Sequence, residues 1–381
     1  MDFQTLCVHG REKKYDLTGS ISVPIFQSAT FAHPGVGLST GYDYSRSQNP
    51  TREYLEQVVA ELENGEKALA FTSGMAAVTA LMELFSPGDH LIVSDDLYGG
   101  THRLFDHISV KNGLSFSRAN TPEQVKNAIR PETKAVFLET PTNPMLRVID
   151  IESVSRLTAE AGLMLIVDNT FLTPYFQRPL LLGADIVVHS GTKYLGGHND
   201  TLAGFLVMKD SSLAEQLHFI AKTTGGLLSP FDSFLIVRGI KTLAVRLERQ
   251  QESAIEIADW LGRQEAIAKV HYLGLKTHPD YEISCRQTSG FGAMISFSVQ
   301  DERLAEQLLE QVKIIRYAES LGGVESLMTY PMLQTHADLP EAERLEKGID
   351  SRLLRLSVGL ESVGDLIQDL AQAMNLEGSG K

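Results

Sequence analysis

Short runs of valine, isoleucine, leucine and phenylalanine recur through the middle of the chain, each followed by a stretch of helical periodicity. Leu91-Ile92-Val93, Ala135-Val136-Phe137-Leu138, Leu165-Ile166-Val167, Ile186-Val187-Val188 and Gly204-Phe205-Leu206-Val207 are continuous rather than alternating. Continuity means burial on both faces, and the intervening amphipathic helices supply the covers. The pattern therefore predicts a mainly parallel sheet covered by helices within about residues 50–240. After Asn49-Pro50, the side chains of Tyr54, Leu55, Val58, Val59 and Leu62 fall on one helical face, and Asn64-Gly65 ends the helix. Residues 1–49 are rich in Ser, Thr, Gly, Pro and Tyr without a period, and read as an extended arm rather than a core element.

Beyond the sheet the pattern changes. A helical region from Asp232 to about Gln264, interrupted at Gly239, leads to segments 293–299 and 353–358, which alternate like half-exposed strands. In the second, Leu354, Leu356 and Val358 share one face and leave Arg355 and Ser357 on the other. A terminal helix carries Val363, Leu366, Ile367, Leu370, Ala371 and Met374 on one stripe. Helices against one side of a small sheet predict an α+β C-terminal domain. The division is an arm at 1–49, a large domain at 50–245 and a small domain at 246–381, with Glu377 to Lys381 as a disordered tail.

Composition narrows the classes of function. The 381 residues are 43% hydrophobic and 22% charged, ordinary for a globular chain. Against 48 acidic residues stand 34 basic ones, and the net charge of −14 argues against nucleic acid or anionic membrane as a partner. The first residues have neither the basic end nor the apolar core of a secretory signal, and no apolar run approaches the roughly 18 residues that span a bilayer. Cys7 and Cys285 form neither a disulfide framework nor a metal-ligand spacing, so no metal is expected, and a reducing cytoplasm fits best.

Candidate chemistry gathers at one place. In an open parallel sheet, ligands collect beyond the carboxyl ends of the strands. That rule selects Asp168, which closes one strand, and Ser190, Thr192 and Lys193, which follow another. Phe71 to Ala77 is a turn running into a helix, whose first N–H groups can hold an anion. A phosphate cradle, an acid and an amine are the set that pyridoxal phosphate uses, together with an aromatic ring against its face, for which Tyr98 is the candidate. Each residue also has an ordinary role, as a solvent-facing lysine, a helix-capping aspartate or a turn tyrosine. No G-x-x-x-x-G-K-[ST] string occurs, and the glycines at 35–41 follow His33-Pro34 rather than a strand, so neither a P-loop nor a dinucleotide loop is expected.

The stretches "YDYSRSQNPTR" (42–52), "TSGMAA" (72–77), "DLYGGT" (96–101), "ETPTNP" (139–144), "VDNTF" (167–171), "HSGTKYLGG" (189–197), "AESLGGVESL" (318–327) and "RLSVGLE" (355–361) together resemble the Cys/Met-metabolism, pyridoxal-phosphate-dependent enzymes of trans-sulfuration. The resemblance implies the aspartate-aminotransferase-like fold, type I of the pyridoxal-phosphate transferases. It implies that Lys193 joins the cofactor aldehyde through its amine and later shuttles protons, and that Asp168 faces the pyridine nitrogen. Tyr98 would stack on the ring and take part in catalysis. Backbone of Gly74 and Met75 with the hydroxyls of Ser190 and Thr192 would bind the phosphate. Tyr44 and Arg46 would reach the phosphate of a neighbouring subunit, which makes the site composite and the protein a homo-oligomer, commonly a tetramer built as a dimer of dimers. Arg355 would clamp the substrate α-carboxylate, with Ser320 and Asn143 as further substrate-binding residues; an ordinary turn role before Pro144 stays open for Asn143.

Within the family, "AESLGGVES" and Asp43 before Tyr44 look most like the γ-synthase branch, which implies joining an O-acyl-L-homoserine to L-cysteine to give cystathionine. Cleavage of cystathionine and O-acetylhomoserine sulfhydrylation are the alternatives. Methionine γ-lyases typically carry cysteine where this chain has Gly100. Gly191 stands where relatives often have Ala or Cys. Glu325 would sense the distal substrate group if the synthase reading holds, while His102, His198 and His336 read as loop or structural histidines.

Overall fold

The computed structural model describes residues 1–10 and 18–375; the tail expected to be disordered lies outside them. The Asn49 side chain accepts from the backbone N–H groups of Thr51 and Arg52 at 3.0 and 3.4 Å, and Pro50 presets the first turn. The helix this starts, Pro50–Leu62, buries the five apolar side chains read from the sequence, and Asn64 turns the chain out at φ 60°.

Seven strands form the larger sheet: β1 (Lys67–Phe71), β2 (His90–Val93), β3 (Ser115–Arg118), β4 (Thr133–Glu139), β5 (Met164–Asp168), β6 (Ile186–Ser190) and β7 (Gly204–Met208). Their order is β1-β7-β6-β5-β4-β2-β3, and only β7 runs against its neighbours. Val136, Leu138, Leu165, Val167 and Val187 enter one core, while Ala135, Phe137, Ile166, Ile186 and Val188 enter the other. Burial on alternating faces is why these strands read as unbroken apolar runs. The carboxyl ends of β1, β2, β4, β5 and β6 lie along one edge, and the amino end of β7 meets them there.

A second sheet of five strands follows: β8 (Ile267–His271), β9 (Met294–Val299), β10 (Arg316–Tyr317), β11 (Leu327–Thr329) and β12 (Leu353–Ser357), ordered β10-β11-β12-β9-β8. Helices including Leu243–Leu261 and Val363–Ala373 pack beside it, as an α+β unit requires.

Three expectations are corrected. The first ten residues are not extended: Phe3–His9 is helical, Leu6 and Cys7 are buried, and the Tyr54 hydroxyl donates to His9 O at 2.8 Å. Their apolar pattern spans barely two turns, too short to show a period.

Strands β9 and β12 are not half-exposed. Ser296, Arg355 and Ser357 are buried with their apolar neighbours, because loops of both sheets, rather than water, meet the polar face. Ser296 Oγ donates to Pro144 O at 2.6 Å, and Ser357 Oγ accepts from Gly322 N at 2.8 Å. Alternation reports polarity, and here hydrogen bonds satisfy it.

The long helical region breaks at Lys241-Thr242, between helices Pro230–Ile240 and Leu243–Leu261, not at Gly239. Gly239 instead lets its helix touch the loop after Lys193, since a Cβ there would overlap Gly196 O. The division drawn after residue 245 falls inside the second helix. Among the described residues no helix is long and apolar enough to cross a membrane.

Candidate active site

Along the edge where the strand ends meet lies a cavity of about 210 Å³, lined by residues from the β1, β4, β5 and β6 ends, from Tyr98 and from both sheets' loops. Ten of the twelve residues expected at a site border it: Gly74, Met75, Tyr98, Asn143, Asp168, Ser190, Thr192, Lys193, Ser320 and Arg355.

Lys193 follows β6 in a loop pinned to the start of β7, where Thr192 Oγ1 donates to Ala203 O at 3.2 Å and accepts from Ala203 N at 3.1 Å. Glycine at 191 fits the loop, since a Cβ there would stand 2.4 Å from Phe205 Cε2. Lys193 Nζ donates to Ser320 Oγ at 2.9 Å. Burial, and then the positive charge of Arg355, push its pKa down to about 8, against a smaller opposing pull from Glu319. Ser320 itself holds φ at 86°, a left-handed backbone that is uncommon for a serine.

Asp168 ends β5 and accepts from Thr170 Oγ1 at 2.6 Å and Thr170 N at 3.0 Å. Burial raises its pKa, and the Thr170 hydrogen bonds oppose the rise. The helix Gly74–Met82 starts beside it. Ser73 Oγ takes the Ala76 N–H, which leaves the Gly74 and Met75 N–H groups as the open donors of the first turn. A Cβ on Gly74 would stand 3.1 Å from Ser190 Cβ, so glycine brings the helix end close to the Ser190 hydroxyl.

Arg355 is buried on β12. Its Nη1 donates to Asn143 Oδ1 at 2.6 Å, and Nη2 donates to Thr329 Oγ1 at 3.0 Å and Ser320 O at 3.1 Å. Its Nε is buried without a partner. Burial pushes its pKa down to about 10, which still leaves it charged at neutral pH.

Tyr44 and Arg46 do not border this cavity. Arg46 Nη1 donates to Lys222 O at 2.5 Å, and its guanidinium lies 5.6 Å from the centre of the exposed Tyr44 ring. Glu325 accepts from Asn199 Nδ2 at 2.8 Å, away from the cavity wall. His102, His198 and His336 make local contacts with Leu97 N, Gly196 O and Thr335 Oγ1 respectively, as structural histidines do.

Sequence reasoning missed Glu139, Thr170, Glu319 and Thr335, all on the wall. Glu139 had a signal: it ends β4 directly beside Asp168 in register and opens the "ETPTNP" block.

A mostly parallel sheet with a lysine, a carboxylate and an open helix start at its carboxyl edge defines a pyridoxal-phosphate-dependent enzyme of the aspartate-aminotransferase-like fold. The chain belongs to the Cys/Met metabolism PLP-dependent enzyme family, whose model matches residues 4–375. It is 50% identical over 361 residues to a cystathionine gamma-synthase/O-acetylhomoserine (thiol)-lyase of Bacillus subtilis, covering 94% of this chain and 92% of that one. It is 48% identical over 376 residues to a cystathionine gamma-lyase of the same organism, covering 98% and 99%. The crystal structure of cystathionine gamma-lyase from Lactobacillus plantarum complexed with L-serine superposes with a TM-score of 0.96 at 42% identity, over 98% of this chain and 99% of that one. The protein is thus a pyridoxal-phosphate-dependent enzyme of the trans-sulfuration type.

Proposed function

We propose that the protein catalyses γ-replacement, joining an O-acyl-L-homoserine to L-cysteine to give cystathionine. The residues on the wall fit the cofactor. The Gly74 and Met75 N–H groups and the Ser190 hydroxyl would hold its phosphate, and Asp168 would keep its pyridine nitrogen protonated. Thr192 would join the phosphate by turning its hydroxyl away from Ala203. Tyr98 would cover the ring face, and Lys193 would carry the aldehyde carbon on its amine. When bound, pyridoxal phosphate supplies an electron sink for bonds at the substrate α-carbon.

The observation that carries the reading is Lys193, the one lysine on the cavity wall among the described residues, with a pKa lowered to about 8. γ-Replacement needs a base that takes the proton at Cα and then one at Cβ, and a single amine with that pKa serves both steps. Arg355 would hold the α-carboxylate with its unpaired Nε, and Asn143 and Ser320 keep the fork oriented. The acyl oxygen then leaves from Cγ, and the cysteine sulfur takes its place.

Gly100 supports a site unlike that of methionine γ-lyases, because a Cβ there would stand 2.5 Å from Tyr98 Cε1 and displace the ring. The 50% relative named for γ-synthase activity supports the synthase. The 48% relative named as a γ-lyase favours a second reading, cleavage of cystathionine. Assays with O-acetyl- or O-succinyl-L-homoserine plus cysteine, run beside cystathionine alone, decide between them. Faster cystathionine formation supports the synthase; faster release of pyruvate or 2-oxobutyrate from cystathionine overturns it.

The same proposal includes a cytoplasmic homotetramer in which Tyr44 and Arg46 complete a neighbour's phosphate site. Their exposure outside their own cavity supports that arrangement.

A further inference from the structure

Glu139 sits 6% exposed at the end of β4, beside Asp168 and on the cavity wall. Its neighbours include two further carboxylates, Asp168 and Asp96, and among the described residues it makes no ion pair. A buried acid in such company destabilises a fold relative to an apolar residue of the same size. Core packing therefore does not explain it.

Its hydrogen bonds offer a reason. Glu139 Oε2 accepts the Tyr98 N–H at 2.8 Å, and the Asn143 backbone amide lies close enough to the carboxyl group to favour its charged form. Asn143 in turn holds Arg355 through its side chain at 2.6 Å. Glu139 thus stands between Tyr98, which it holds by a hydrogen bond, and the Asn143 backbone, whose side chain holds Arg355. It ties the loop after β2 to the turn after β4, and both to β12 of the smaller sheet.

We infer that Glu139 is a positioning residue that locks Tyr98 and Asn143 to each other, so that the ring face and the carboxylate clamp keep a fixed separation. Burial first, and then the charge of Asp168, raise its pKa well above the ordinary glutamate range.

The inference rests on the roles proposed above for Tyr98 and Arg355, and one readout of its test is independent of them. In cofactor-free protein, Glu139→Ala is expected to speed amide hydrogen exchange at Tyr98 and Asn143 by about tenfold or more. In loaded enzyme the same change should weaken the visible circular dichroism of the cofactor and raise KM for the amino-acid substrate about tenfold, with a smaller change in kcat. Glu139→Gln keeps a carbonyl at the same reach and should hold exchange and KM within about threefold of the parent. Glu139→Asp keeps the acid but is one methylene short, and should behave like Glu139→Ala; it serves if the alanine variant does not fold. Parent-like exchange and KM in Glu139→Ala or Glu139→Asp, or loss in Glu139→Gln as large as in Glu139→Ala, would overturn the inference. A wrong assignment of the reaction would leave the exchange result untouched.

Discussion

Arg355 Nη1 donates to Asn143 Oδ1 at 2.6 Å, a buried hydrogen bond between positions 212 residues apart that joins β12 of the smaller sheet to the turn after β4 of the larger one. Both residues border the cavity, so the seam between the sheets is also a wall of the site. The Nη groups are engaged with protein, and Nε is left buried and unpaired.

That arrangement gives the first prediction. Removing the fork in Arg355→Ala should lower kcat/KM by roughly a hundredfold, about 3 kcal/mol, chiefly through KM. Arg355→Lys should recover little, because an ammonium cannot reproduce the planar fork. Steady-state kinetics check both, and an unchanged KM in Arg355→Ala would remove the clamp from the account.

The lowered pKa of Lys193 predicts the pH dependence of cofactor loading. Only the neutral amine attacks an aldehyde, so the loading rate of cofactor-free protein should climb about tenfold per pH unit below the inflection and level off above it. The inflection should lie near about 8. Arg355→Ala removes a cation that disfavours the protonated amine, so it should move the inflection to higher pH; Glu319→Gln should move it lower. Stopped-flow absorbance across pH reads all three.

Gly239→Ala tests how the lysine loop is supported. Alanine favours a helix over glycine by about 1 kcal/mol. The new methyl group, however, would overlap Gly196 O and sit 2.7 Å from Leu195 O, both backbone atoms of the loop after Lys193. Overpacking of that kind costs about 1–3 kcal/mol or more and outweighs the gain. Thermal melts of cofactor-free protein should show Tm lower by about 2–6 °C, with weaker cofactor affinity. A raised Tm would mean the helix packs less tightly than the structure indicates.

The proposed sharing of sites between subunits predicts complementation. Lys193→Ala and Arg46→Ala chains are each expected to be inactive alone. Mixed and reassembled, they should regain up to roughly a quarter of the parent activity, because one site in each hybrid dimer receives both native residues. No recovery, with hybrids verified by mass, would argue for sites built within one chain.

Much of the fold was legible because strands buried on both faces leave unbroken apolar runs, as at Leu165 to Val167. The rule that ligands gather at carboxyl ends then selected Asp168, Ser190, Thr192 and Lys193, all on the cavity wall. Other parts leave weaker traces. Strand β3 is half-buried and reads Ser-Phe-Ser-Arg, and β10 is two exposed residues, so neither carries an apolar run. Arg355 and Ser357 imitate a solvent face because the groups that satisfy them, among them Asn143, Ser320 and Gly322, lie far away in sequence. Glu139 went unread for a similar reason. A glutamate after an apolar strand looks solvent-bound until the backbone of Tyr98 is brought against it.

The central claim is that Lys193 alone carries the cofactor. Borohydride reduction of the loaded protein converts the carbon–nitrogen link into a stable secondary amine, and peptide mapping then locates the label. The account predicts stoichiometric label on the peptide containing Lys193, and none when Lys193→Ala is treated in the same way. Label on another lysine, or an unlabelled Lys193 in cofactor-saturated protein, would contradict it.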